Sequence, residues 1–534
     1  MANVTVVLKM CYLAKRAVFF ICLLTPPITL LDAAEFFCPS GDVTCLIAAI
    51  NQANGISGEH VISLEPGSYT LQTVDNGLNG LPVISGSIRI QATAEDVPTT
   101  IERDVNAPPF RIFEISAAGE LTLAGLIIQR GSAPVLGAAV RNSGVTSLQD
   151  SLVRDSRTNA RGAISNVGTL FVSRTIIADN DGGHEGGGIY NEGDAIVENS
   201  SIVRNGSADG GGILNHGSLI VKNSAIIFNS TDCCNPGEGI LNLGGSVEIV
   251  NSTIAENVAG GAFGHGGGGI ANIGGDLSVT NSTIRENQVL FSFARRGGGG
   301  IDNDGGTLRL QNTILAGNTV AGPIATGPDC VGTITSLGNN LVGDPIGCEI
   351  NLQLNDLTGD PGLGPLVEIG EDDSPGKAFY PVLAGSVVID SANLAACPKK
   401  DQLGNPRVGR CDIGAVEFQE RMLVSIDVRP RSDANRIRPN SNKNINVAIL
   451  SINGFDALTV DPSTVRFGAK GTEALPIHVG RRDVNGDGRV DQVLRFEIQD
   501  TQIKCGDTSA TLTAEILNGP SIIGSSPITT TRCM

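Results

Sequence analysis

The 534-residue chain carries 37 Lys+Arg against 55 Asp+Glu, a formal charge of −18, so a polyanion meets net repulsion and nucleic acid is not expected as a partner. It has 69 glycines, four tyrosines and no tryptophan, and so few of the flat side chains best suited to cover a sugar ring. Residues 423–534 hold 13 Lys+Arg and 12 Asp+Glu by count, which leaves nearly all the acidity to the part before them.

In chain order, residues 1–33 place a basic flank (Lys9, Lys15, Arg16) before an apolar run from Ala17 to Leu31, interrupted by Pro26 and Pro27 and followed by Ala33 and Ala34. This pattern predicts a cleaved secretory leader, and no later stretch is apolar enough to span a bilayer. Without the leader the charge is about −20 and ten cysteines remain. Close sequence partners are Cys38 with Cys45, Cys330 with Cys348, Cys397 with Cys411, and Cys505 with Cys533. An even count in an exported chain reads as disulfides, with the connectivity open. Cys233 and Cys234 are adjacent, so they form a strained vicinal bond, stay free or pair elsewhere; no zinc spacing occurs.

Within residues 34–60, TCLIAAINQAN (44–54) places Leu46, Ile47, Ala49, Ile50 and Ala53 at helical intervals, which predicts a short amphipathic cap. Between 61 and 160, segments such as GELTLAGLIIQRGS and TSLQDSLVRDS alternate like strands without a fixed phrase.

From 164 onward one phrase recurs: GAISN, GGGIYN, GGGILN, GEGILN, GGGIAN, GGGIDN. Its closing asparagines, Asn166, Asn191, Asn215, Asn242, Asn272 and Asn303, stand 25, 24, 27, 30 and 31 residues apart, and Asn180, Asn205, Asn229, Asn257, Asn287 and Asn318 keep nearly the same intervals. Two corners per repeat therefore stay in register while added residues enter one loop. Short alternating runs bounded by glycine exclude helical repeats and predict strand–turn–strand rungs, stacked ~4.7–4.9 Å apart as a parallel β-helix. The isoleucines Ile164, Ile189, Ile213, Ile240, Ile270 and Ile301 form the inward stack, and the asparagines form amide ladders. Asn-x-Ser/Thr sequons such as those at Asn251 and Asn281 arise from the repeat itself. The coil is expected over 61–358.

At 359–422 the rhythm gives way to a segment rich in Pro, Gly and Cys, read as a C-terminal cover. Its motifs DPGLGPL, VIDSAN, DQLGNPR and CDIGAVEF closely resemble the choice-of-anchor Q region of exported bacterial β-helix proteins. TCLIAAINQAN partly matches the CSLREA-type segment at their N-terminus: Cys45 stands one place late, and Ile47 and Ala48 replace an Arg-Glu pair. The resemblance covers about residues 38–418 and implies a secreted or surface-exposed right-handed β-helix, similar also to pectate-lyase-like and polymorphic outer-membrane proteins, without implying one activity.

Residues 423–534 alternate at period two in VSIDVRP, NINVAILS, STVRFG, QVLRFEIQ and ATLTAEIL, which predicts a small antiparallel β-sandwich. Inside it DVNGDGRVD sets Asp483, Asn485, Asp487 and Asp491 at positions 1, 3, 5 and 9 of a calcium-loop pattern, with the Arg489 carbonyl as a further oxygen. Leu494 stands where an EF-hand has glutamate; the loop more closely resembles dockerin-like and thrombospondin-type repeats. A structural Ca2+ ion is expected.

The enlarged loops (DGGHEGG, STDCCNPGE, VAGGAFGHGG, QVLFSFARRGG) stack into a wall carrying His184, Glu185, Glu238, His265, Arg295 and Arg296, with Tyr190, Glu192, His216, Asp302 and Asp304 expected outward beside it. His265, Arg295, Arg296, Asp302 and Asp304 are the catalytic candidates: a lyase needs a basic residue near carboxylates, a hydrolase two carboxyls ~5–9.5 Å apart. No pair there has diagnostic spacing. The expectation is therefore a non-catalytic adhesin or spacer at the cell surface or outside it, contacting a surface or matrix component such as a polysaccharide. The alternative is a polysaccharide lyase or glycoside hydrolase.

Overall fold

A computed structural model describes residues 34–533 except 95, 232–236, 261–265, 291–296, 323–326, 369–377, 408, 419–420, 431, 433, 453 and 518–520. The leader expected at 1–33 and the Cys233–Cys234 pair lie outside the described residues.

The repeat folds as expected into a parallel β-helix of about 11 turns. Each regular rung has three main faces and a two-residue fourth strand (Gly206–Ser207, Ser230–Thr231) that stacks in parallel as well. Face I carries the isoleucine phrase (Ile189–Asn191, Ile213–Asn215), face II a five-residue strand (Asp194–Glu198, Ser218–Lys222), and face III a three-residue strand (Ser201–Val203, Ala225–Ile227). Rungs pair in parallel with like over like: Ile189 on Ile213, Asn191 on Asn215, Val197 on Val221. The six phrase isoleucines are fully buried, each contributing about 1.5–3 kcal/mol of apolar burial.

Both asparagine series are ladders. Asn191 Nδ2 donates to Asn215 Oδ1 at 2.7 Å, to Gly193 O at 3.0 Å and to Ser218 O at 3.0 Å, and its own Oδ1 accepts from Asn166 at 2.7 Å. In the second ladder Asn205 donates to Asn229 and Asn229 to Asn257. Asp329 ends this series by accepting both the side-chain and backbone N–H of Asn318. A third ladder joins faces II and III: the Oγ of Thr175, Ser200, Ser224, Ser252 and Ser282 each accepts a backbone N–H from the rung before.

At the N-terminal end, helix α1 (Val43–Asn54) inserts Leu46, Ala49, Ile50 and Ala53 into the coil's core, and the Asp42 side chain caps it by accepting from Cys45 N. The disulfide Cys38–Cys45 fastens α1 to the first strand, Glu35–Cys38.

The cover lies along the flank of the coil, across many rungs. Asn251, Asn281, Asn312 and Asn339 occupy left-handed corners (φ 49°, 47°, 52° and 57°), and their Nδ2 groups donate to Lys400 O, Cys397 Sγ, Asn393 O and Ser391 O. Inside the cover, the buried Arg407 guanidinium pairs with Glu417 at 3.1 Å, reaches Gly414 O and Ala415 O, and holds Asn251 Oδ1 at 3.0 Å. Cys397–Cys411 closes it; Cys330–Cys348 ties the last rungs.

Beyond it, two four-stranded sheets face each other, Arg421–Leu423, Arg466–Gly468, Ser509–Glu515 and Ser521–Pro527 in one, Ile426–Val428, Asn444–Ile449, His478–Arg482 and Asp491–Glu497 in the other. Val447, Leu494, Leu512 and Ile522 fill the space between, with Phe467 and Phe496 in ring contact at 5.0 Å. The pairings are antiparallel except Arg421–Leu423, which runs parallel to Ser521–Ile523. Cys505–Cys533 ties the C-terminal strand down.

Candidate functional site

The loop wall divides into buried and exposed parts. His265, Arg295 and Arg296 lie outside the described residues. Tyr190, Glu238 and Asp302, expected on the outward surface, are buried. The cause is the glycine phrase. A Cβ on Gly210 (φ +62°) would meet the Leu214 and Leu241 side chains at 3.1 and 3.2 Å, so glycine lets the incoming chain close over the outward column Tyr190, Leu214, Leu241, Ala271. Asp302 continues that column and accepts from Gly266 N at 2.8 Å. Glu238 accepts from Thr231 Oγ1 at 3.0 Å, and complete burial pushes its carboxyl well above the ordinary range. Asp304 is half-exposed at the end of its strand.

What remains accessible on this side is a cluster at two successive corners. Arg161 Nε pairs with Glu185 at 2.7 Å and Nη1 with Glu192 at 3.7 Å, and the guanidinium lies 4.7 Å from the Tyr190 ring centre. Tyr190 OH donates to Glu192 Oε1 at 2.8 Å; burial first, then this carboxylate, pushes the phenol up. His216, one rung on, meets the Tyr190 ring edge-on at 5.8 Å, with Nδ1 3.2 Å from Leu243 O. Glu192 and His216 are exposed, as is His184 nearby.

A second cluster, absent from the expectations, sits where the cover meets face III. Glu256 and Glu286 are successive corner residues whose carboxyls both reach one hydroxyl of the cover. Tyr380 OH donates to Glu286 Oε2 at 3.2 Å and lies 3.5 Å from Glu256 Oε1. Arg285 pairs with Glu286 at 3.1 Å and lies 5.4 Å from the Tyr380 ring centre. Burial, then the neighbouring Glu286, raises the Glu256 carboxyl to about 7. The pair had a sequence signal: Glu256 and Glu286 each immediately precede an asparagine of the second ladder, which stacks like charge on like. Tyr380 had none, because it belongs to no repeat.

The 483–491 turn joins strands His478–Arg482 and Asp491–Glu497. Asp483 accepts from Gly486 N (2.7 Å) and Gly488 N (3.0 Å), Asp487 from Arg489 N (2.8 Å) and Asn485 Nδ2 (3.0 Å). Asp491 differs from the others. It is fully buried, and its two oxygens accept from Ser451 N at 2.8 Å and Val484 N at 2.9 Å. Thus Asp483, Asn485 and Asp487 gather on one exposed turn while Asp491 anchors it to the next strand. Among the described residues no three His, Cys, Asp or Glu side chains converge as a metal group, so the oxygens available for a hard cation are two carboxylates, the Asn485 amide and backbone carbonyls.

The chain matches no family model, no curated protein and no solved structure. Among the described residues no helix is long and apolar enough to cross a membrane.

Proposed function

We propose that the protein is an exported β-helix scaffold of the kind its cover motifs resemble, working at the cell surface or outside the cell by presenting its loop edge to a glycan or protein partner. The observation that carries this reading is how the outward charges are spent. Along the described coil they pair from rung to rung, Asp150 with Arg174, Asp179 with Arg204, Glu102 with Arg130, which stiffens the column without building an acid–base centre. Glu256 and Glu286, the adjacent carboxyls, lie under Tyr380 of the cover, a buried side chain that occupies the place a substrate would need. Four disulfides suit an oxidising setting. Calcium, held by Asp483, Asn485, Asp487 and the Arg489 carbonyl, would offset carboxylate repulsion in the appended module.

A second reading, a polysaccharide lyase or hydrolase, draws on the half-buried Arg161 and the exposed Glu192 and His216, which supply a cation, an acid and a base on three successive rungs. Incubation with a panel of uronans and neutral glycans, with calcium, separates the two. Retention of a glycan with no new chain ends supports the scaffold. New unsaturated or reducing ends that disappear in Glu192→Gln or Asp304→Ala overturn it.

A further inference from the structure

Glu256 and Glu286 occupy left-handed corners, φ +54° and +57°, directly after two face III strands that pair Thr253 on Thr283 and Ala255 on Arg285. The register therefore sets the two residues ~4.8 Å apart along the coil axis, with their backbones fixed by the rungs. Earlier in the same column the solution is opposite charge: Asp179 and Arg204 form two hydrogen bonds at 2.9 and 3.0 Å. At Glu256 and Glu286 the column stacks like on like, and a group from the cover sits on top. Tyr380, 1 % exposed, brings a single hydroxyl proton to two carboxyls. Two isolated antiparallel bridges of the cover, Leu363 with Val382 and Val367 with Phe379, lay Leu363, Leu366, Ala378 and Tyr380 on an apolar strip of the coil, Ile176, Ala178, Val203, Ala225, Ile227 and Ala255.

We infer that Glu256, Glu286 and Tyr380 form a proton-operated clasp, which holds the limb of the cover made by residues 361–367 and 378–382 on the coil when the two carboxyls share a proton and loosens it when that proton leaves. In the fastened state one proton shared by the two carboxyls removes their repulsion, and the Tyr380 hydroxyl donates to Glu286. Loss of the proton sets two carboxylates against each other with one hydroxyl between them. The other charges facing Glu256 do not cancel this: Arg285, from the coil, is already paired with Glu286, and Glu368, the cover residue next to the limb, adds to the repulsion. The transition falls near neutrality, since Glu256 is raised to about 7 by burial and by Glu286. What is released is a limb carrying its own hydrophobic face, and what is uncovered is an apolar strip of the coil.

Hydrogen exchange of the whole protein, read by mass spectrometry and corrected for the intrinsic rate, tests this at about pH 5.5 and about pH 8.5. Limb residues 361–367 and 378–382 should open several-fold more often at the higher pH, while the phrase strands at Ile189, Ile213 and Ile240 stay unchanged. Glu256→Gln keeps a donor toward Glu286 at every pH and should leave the limb closed and its exchange flat; Glu286→Gln, the mirror variant, should do the same. A limb equally protected at both pH values overturns the clasp, as does a pH response that survives both variants.

Discussion

A single asparagine of the first ladder satisfies more groups than its size suggests. Asn191 Nδ2 donates to three acceptors in its own rung and the next, and its Oδ1 takes the amide of the rung before. Asn191→Leu fits the volume but strips partners from groups that remain buried, at about 1–3 kcal/mol for each one orphaned. The expected loss is about 3 kcal/mol or more, read as a lower urea midpoint. The calcium-type turn divides by the same reasoning. Asp491→Ala removes the acceptor of Ser451 N and Val484 N, so it should destabilise the module by about 2 kcal/mol or more, read as a lower melting temperature with or without chelator. Asp487 is exposed and makes only local bonds. Asp487→Ala should therefore leave the chelated protein unchanged and abolish whatever stabilisation added calcium gives. Equal loss with and without chelator in Asp487→Ala would rule out the proposed ion.

At the scale of elements, what the sequence disclosed and what it hid follow from how each element is specified. The two asparagine ladders and the isoleucine stack were legible because each rung repeats the letter at the same corner. The third ladder was hidden in plain view, because Ser252 and Ser282 are the middle residues of Asn-Ser-Thr triplets that read first as glycosylation sequons; Asn251 and Asn281 are buried and hold the cover. The Asn column and its partners 397–400 are more than 100 residues apart in sequence, and no periodicity announces that contact. The same holds for Tyr380 on Glu256 and Glu286. The expected exposure of Tyr190 and Asp302 failed because alternation along a strand gives the direction of a side chain but not what a following loop lays over it, and Glu238, expected on the loop wall, turns in instead to meet Thr231. Cover docking turns on Arg407, which joins Glu417, two carbonyls and Asn251. Arg407→Ala breaks this buried pair, at about 3–5 kcal/mol, and should make residues 390–418 protease-sensitive while the rungs before Asn191 stay resistant. A uniform loss of protection along the coil would show that the cover is not a separately docked element.

For the whole molecule, four carboxyls raised by desolvation act in one direction. Burial raises Asp412 to about 6 and Glu256 to about 7, and pushes Asp329 and Glu238 up as well. Each has a folded-state value above its unfolded one, so across the interval between the two the native chain binds protons that the unfolded chain has released. Stability must then fall as pH rises from about 4 through the raised values, which include about 6 for Asp412 and about 7 for Glu256. The formal charge of −18 adds to the slope, because self-repulsion grows as the remaining carboxyls ionise. The coil cannot relieve it by rearranging, since its corners are fixed by register and each rung answers only to its neighbours. The melting temperature is therefore expected to be higher at about pH 5 than at about pH 8, with Asp412→Asn and Glu256→Gln each flattening part of the decline and added salt raising the alkaline end by screening. A melting temperature that climbs from pH 5 to pH 8 would mean that Asp412, Glu256, Asp329 and Glu238 are ionised in the native state, with cations or water supplying what their protein neighbours do not.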